Sequence, residues 1–270
     1  MSAASDNKMP GDSTTAPSSD VERILGISFF GGTLDEAIER HTANGGYVVI
    51  PAAPALLKLN FDEGYRRAMQ SADLALADSG SLALLWRMIG GGRLRRISGI
   101  AYFKQLFQQG GIQRGQPTFW IFPSEAAKAK AGGWLADHGF RLHDKDCFIA
   151  NATASSEQNY AILVRLEEDK PKHVIIAMAG GGQEELALYL RDYLLYRPSI
   201  HCIGAALGFL SGDERTIPDW AERNHFGWLF RLFAQPRMIL PRVGIAFALM
   251  SMVVKYRSEL PPLKKRWADM

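Results

Sequence analysis

"KHVIIAMAGGGQEELALYLRDYLL" (residues 172–195) joins an uninterrupted apolar run to three glycines and then to a segment with helical spacing. An apolar run without polar alternation fits a strand covered on both faces, and such strands belong to parallel sheets. The same unit recurs along the chain. "RILGISFF" (23–30) reads as one strand. It is followed by "TLDEAIERHTA" (33–43), a helix with Thr33 as N-cap and Glu36 completing a capping box. "GYVVIPA" (46–52) is a strand ended by Pro51, and "APALLKLNFDEGYRRAMQSA" (53–72) is helical. "DLALAD" (73–78) precedes the helical "SLALLWRMIGG" (81–91), "PTFWIFP" (117–123) precedes "SEAAKAKAGGWLADHG" (124–139), and "SIHCIGAAL" (199–207) is the last clear strand. The pattern predicts an α/β fold, a mainly parallel sheet flanked by helices.

In such sheets ligands bind beyond the carboxyl ends of the strands. Asp78 stands at one such end, followed by the small residues Ser79, Gly80 and Ser81. Small residues let the backbone approach a ligand, and a helix N-terminus there offers free N–H groups. Asp78 as a helix N-cap is an equally good reading of the pattern alone. At the second glycine-bearing end, Gly180, Gly181 and Gly182 are expected to bring N–H groups to a phosphate. Gln183 and Glu184 then lie on the first helical turn, placed to read a sugar or base. The segment has neither the Lys-Ser/Thr of a P-loop nor the GxGxxG spacing, and a flexible turn is the plainer reading.

At 270 residues, with 47% hydrophobic and 22% charged side chains, the chain has the composition of an ordinary globular protein. Its two cysteines, Cys147 and Cys202, fit no CxxC pattern and point to a reducing cytoplasm. Residues 1–20 are rich in Ser, Thr, Pro and Asp without an apolar core, so they read as a disordered tail and not a signal peptide. "DKD" (144–146) resembles a metal-binding DxD but precedes a strand, at the wrong edge of the sheet. His138, His143 and Cys147 match no metal spacing, the histidines read as surface or packing residues, and no GxSxG is present. No metal and no cofactor is expected.

The net charge of +3 is unevenly spread: from Arg223 to Met270 there are nine Lys/Arg against two acids. This asymmetry points to an anionic partner, while a solvated basic tail is the plain alternative. No nucleic-acid module accompanies it. The sequence divides into the tail, an α/β domain at 21–216 and a basic, aromatic appendage at 217–270. The apolar stretch Val243–Val254 is too short to span a bilayer, where about 20 residues are needed. It suits an interfacial amphipathic element, with a core helix or an oligomer contact as the competing readings.

Taken together, these segments resemble the WecG/TagA/CpsF family of bacterial glycosyltransferases from about Ile24 to Arg242. "ADLALADSGSLALLWRMIGGGRLRRISG" is similar to the family's "AD–apolar–DGxG…R…RxxG" block, and "VIIAMAGGGQEE" to its "GxPxQE" turn. "IGAALGFLSGDERTIPDWAERNHFGWLFRLFAQPRMILPR" resembles its long terminal motif. The resemblance implies the GT-E type of fold, with a C-terminal membrane-associating helical appendage. It implies inverting, metal-independent transfer from a UDP-sugar to a polyprenyl-diphosphate-linked saccharide, on the inner face of the cytoplasmic membrane. It makes Asp78 the general base. Ser79, Gly80, Arg96, Gly180, Gly181, Gln183 and Glu184 become donor-binding, and Arg231, Arg237 and Arg242 approach the lipid diphosphate. The chain departs from the family at Ala52, where an Asn is usual, at Ala101 in place of an acid, at Gly181 in place of Pro, and at Gln235 in place of Glu. A non-catalytic scaffold of the same fold is the alternative that these departures favour.

Overall fold

The structure, a computed structural model, describes residues 21–108, 112, 115–150, 155–178, 180–204, 206–210 and 236–264. The described strands form one eight-stranded sheet. In chain order they are β1 (Val21–Ile24), β2 (Ile27–Phe30), β3 (Gly46–Val49), β4 (Leu74–Ala75), β5 (Thr118–Phe122), β6 (Cys147–Ile149), β7 (His173–Ile176) and β8 (Ser199–Cys202). Across the sheet the order is β1-β2-β4-β3-β8-β7-β5-β6. Every pairing is parallel except β1 with β2. The predicted α/β fold is therefore present, with one antiparallel edge.

That edge corrects the reading of "RILGISFF" as a single strand. Leu25 and Gly26 both take positive φ, 52° and 76°, which is the backbone of a two-residue hairpin turn. Leu25 tolerates a conformation unusual for a side-chain-bearing residue because its side chain is buried and its N–H donates to the carbonyl of Arg257 at 2.7 Å. Burial and a distant partner, neither visible locally, turn the chain here.

Alternation along each strand feeds two apolar layers. Tyr47, Val49, Val174, Ile176, Ile200 and Cys202 pack on one face under the helices α2 (Ala53–Leu56), α3 (Glu63–Gln70), α4 (Gly80–Met88), α7 (Ser156–Asp169) and α8 (Gly182–Tyr193). Val48, Ile50, Ile175, Trp120 and Phe122 pack on the other, under α1 (Leu34–Asn44), α5 (Gly99–Gln108), α6 (Glu125–Asp137) and α9 (Ala206–Leu210). Both faces are covered, which is why the strands read as continuous apolar runs. The capping box at Thr33 and Glu36 is present, with reciprocal bonds of 2.7 and 3.3 Å. The long helical run 53–72 breaks into α2, a 3-10 turn (Leu57–Asn60) and α3, because Asp62 caps α3 by accepting from the N–H of Tyr65 at 2.9 Å.

The last described helix, α10 (Pro236–Tyr256), has Leu249, Met252 and Val253 buried in the first layer. Beyond it, Gly26 N–H reaches the carbonyl of Ser258 at 3.0 Å, Arg66 donates to that of Pro261, and Lys264 N–H donates to that of Asn60 at 2.6 Å. Residues 244–264 are thus built into the α/β body. Of the basic, aromatic segment 217–270, residues 217–235 and 265–270 lie outside the described residues. No helix among the described residues is long and apolar enough to cross a membrane.

Candidate functional site

The carboxyl ends of β4, β3, β8 and β7 lie side by side along one edge, since these strands are parallel neighbours. The chain leaving β3 enters α2 in the first layer, while the chain leaving β8 enters α9 in the second. Adjacent strands whose connections diverge to opposite faces open a crevice, where α/β sheets bind ligands. The residues singled out in the sequence flank this crevice from β4 on one side and β7 on the other. Three strand spacings, about 14 Å, separate these two ends, with β3 and β8 between them.

On the β4 side, Asp78 is half-buried, and its main-chain carbonyl accepts from Arg96 Nε at 2.8 Å. Ala77 and Arg96 form a parallel bridge, and Ile97 N–H donates to Ala77 at 2.9 Å. The basic segment before α5 is thereby laid along the end of β4. Gly99, which opens α5, lies against the β8 end: a Cβ there would meet Ile203 O and Ala206 Cβ at 3.6 Å. The N-cap of α4 is Ser79, whose hydroxyl accepts from Leu82 N–H at 3.2 Å. This corrects the alternative that Asp78 caps the helix. Ser79 also shares a 2.9 Å hydrogen bond with Ser81.

On the β7 side the expectation that the Gly181 N–H and the side chains of Gln183 and Glu184 face a ligand is corrected. Gln183 and Glu184 are buried, at 2% and 0% exposure. Glu184 accepts from Gly181 N–H at 2.5 Å and from Gln183 Nε2 at 3.0 Å. Gln183 Oε1 in turn accepts from Gly204 N–H at 2.9 Å, tying the end of β7 to that of β8. These side chains hold the turn, and the Gly181 N–H is already engaged. Burial pushes the Glu184 carboxyl above its usual range, against the lowering effect of the Gly181 N–H. Gly181 sits at φ 111°, where an L side chain is strained.

Sequence reasoning passed over Lys58. Its Nζ donates to the Gly180 carbonyl at 2.8 Å, so a cation stands at the turn. A lysine within a run read as helical gives no local signal, and only the packing of α2 against Gly180 (Ala55 Cβ 3.3 Å from a Cβ built there) brings it near. Of the three predicted acceptor residues, Arg231 lies outside the described residues, and Arg237 and Arg242 are on the first turns of α10. Ala52 immediately precedes α2, and Ala101 N–H donates to Ser98 Oγ at 3.2 Å. Asp144 and Asp146 form a 3-10 turn leading into β6, at the opposite edge of the sheet from Asp78, with Asp144 paired to Lys128 at 2.8 Å. No group of three or more His, Cys, Asp or Glu among the described residues is placed to hold a metal.

The histidines predicted as surface or packing residues include a buried set under the second layer. Tyr102 hydroxyl lies 2.9 Å from His201 Nδ1, His201 Nε2 lies 3.2 Å from His173 Nδ1, and His173 Nε2 lies 3.2 Å from Gln116 Oε1. Neutral rings satisfy every one of these contacts: Tyr102 donates to His201, His201 to His173, and His173 to Gln116. His41 Nε2 donates to the Ile200 carbonyl at 3.1 Å. Burial lowers His41 and His173 to about 4 each.

A doubly covered, mainly parallel sheet whose connections diverge between β3 and β8 defines the class of α/β proteins that bind ligands at strand carboxyl ends. Within that class the chain matches the model of the glycosyl transferase WecG/TagA/CpsF family over residues 22–262, and it belongs to that family.

Proposed function

We propose that the protein is an inverting, metal-independent glycosyltransferase of GT-E type that moves a sugar from a UDP-sugar to a polyprenyl-diphosphate-linked saccharide in cell-surface or exopolysaccharide synthesis. The observation that carries this reading is a carboxylate, Asp78, at the strand end beside the crevice, with its backbone fixed by Arg96. Asp78 accepts the proton of the acceptor hydroxyl as that oxygen attacks the anomeric carbon; the anomeric bond to the nucleotide diphosphate breaks, and UDP leaves with the bonding pair. Arg96 holds the base, while Gln183, Glu184 and Gly204 fix the opposite wall.

The acceptor is lipid-linked, and the chain works on the inner face of the cytoplasmic membrane. Support comes from the basic residues after Arg223, and from exposed Leu84 and Met88 on α4 and Phe247 and Val254 on α10. These two helices pack together. A second reading, a non-catalytic scaffold on the same fold, is favoured by Ala52 and Ala101 and by the burial of Gln183 and Glu184. The deciding experiment incubates the protein with a panel of UDP-sugars and a short-chain polyprenyl-diphosphate glycan. Release of UDP with an inverted anomeric product supports the enzyme. UDP release from no donor, with the glycan still bound, supports the scaffold.

A further inference from the structure

Lys58 lies on the 3-10 turn that follows β3 and α2, on the same edge as the crevice. Its ammonium carries three donors, of which one goes to the Gly180 carbonyl at 2.8 Å. A Cβ placed on Gly181 would sit 2.2 Å from Nζ, so the cation rests directly on the bare Cα of that glycine. Any side chain at Gly181 would displace it. The side chain is half-buried, and it makes no ion pair within 4.0 Å among the described residues. Its charge is felt by Glu184 and Glu185 and it lies 5.9 Å from the Tyr65 ring centroid, but neither acid pairs with it: the carboxylate of Glu184 is hydrogen-bonded to Gly181 and Gln183, and Glu185 is exposed one residue further along the helix.

The turn bearing Lys58 is also fixed from behind. Asn60 donates to Met252 Sδ at 2.8 Å and accepts from Lys264 N–H, while Arg66 clasps the carbonyls of Leu59 and Pro261. A long side chain on a clamped backbone is a positioned charge. Ala52, on the same connection from β3, has no polar group to offer a ligand.

We propose that Lys58 is the cation that binds the diphosphate of the donor, using its two remaining N–H donors beside the glycine turn. This rests on the reading of the crevice as a nucleoside-diphosphate-sugar site. Lys58 supplies from the β3 connection the polar contact that Ala52 lacks, and it neutralises charge that builds on the diphosphate as the sugar departs. Gly181 is then required for clearance as well as for its backbone angle.

The test is calorimetric titration of the full chain and of Lys58→Met and Lys58→Arg with UDP, uridine and inorganic pyrophosphate, alongside thermal melts. The inference expects Lys58→Met to weaken UDP and pyrophosphate by tenfold or more, with uridine affinity and melting temperature unchanged and Lys58→Arg restoring most of the loss. Equal UDP affinity in wild type and Lys58→Met overturns the inference and leaves the proposed function standing. A parallel loss of uridine affinity and melting temperature overturns it in favour of a purely structural tether. Pyrophosphate binding that depends on Lys58 without any binding of UDP supports the anion site and overturns the nucleotide-sugar reading. Binding of none of these by wild type overturns both.

Discussion

Arg96 donates through Nε to the main-chain carbonyl of Asp78 across 2.8 Å, so the backbone under the candidate base is held by a residue from the next segment of the chain. Replacing Arg96 by Ala removes a charge-assisted bond, which contributes about 1.5–3 kcal/mol in comparable cases. The expected result is a lower melting temperature and a roughly 10²-fold loss of turnover as the base drifts from its place. Arg96→Lys retains the charge but not the planar Nε donor, and should recover more of the stability than of the turnover. Full turnover in Arg96→Ala would uncouple the two residues.

Asp78→Asn should fold normally and lose roughly 10²–10⁴-fold in turnover, the usual contribution of a positioned general base. Ser79 caps α4, so a helix-capping role for Asp78 gives no reason for loss of fold. Steady-state UDP release and a far-UV spectrum decide the point, and near-wild-type release would remove Asp78 from the chemistry.

Turnover should persist in excess EDTA. The DKD turn lies at the amino end of β6, away from Asp78, and Asp144 is committed to Lys128. Abolition by chelation with recovery on adding Mg²⁺ or Mn²⁺ would return Asp144 and Asp146 to consideration.

Acid should weaken the fold through the buried histidines. In the folded state His41 and His173 bind a proton only near pH 4, whereas the unfolded chain binds it near 6.5. Between those values the unfolded state holds more protons, so stability is full above about 6.5 and is lost as pH falls toward 4. For His41 alone the loss is about 3 kcal/mol. Among its titratable surroundings Asp73 opposes the shift, while His173 and Arg197 add to it. Urea denaturation at pH 5.0 and 7.5 should give clearly different midpoints, and coincident curves would mean that the cluster does not titrate on unfolding.

Truncation before His225 should destabilise the whole protein, because it strips Leu249, Met252 and Val253 from the core and the Arg257 carbonyl from the Leu25 turn. Each buried aliphatic side chain contributes about 1.5–3 kcal/mol, a large share of a typical stability of 5–15 kcal/mol. Membrane attachment is therefore tested in the intact chain. Replacing Arg231, Arg237 and Arg242 together by Glu should reduce sedimentation with anionic liposomes, since each basic group near such a surface contributes about 1 kcal/mol. Undiminished sedimentation would place the contact elsewhere.

The sequence by itself determined the layered α/β architecture, the capping box at Thr33 and the family. Continuous apolar runs, cap residues and motif spacing are local signals, and the chain carries them in order. It also determined that Asp78 lies just beyond the carboxyl end of a strand. Tertiary structure alone decided which strands are neighbours, and hence that the β4, β3, β8 and β7 ends share one edge. It decided that "RILGISFF" is a hairpin, because Leu25 is turned by burial and by Arg257, 232 residues away. It decided that Gln183 and Glu184 brace the turn: their neighbours Gly204 and Gly181 compete with any ligand for the same polar atoms, and burial settles the competition. Lys58 reached the site in the same way, through the packing of α2 on Gly180. Hydrogen bonds and contacts between distant residues exist only once the chain has closed, so no window of sequence contains them.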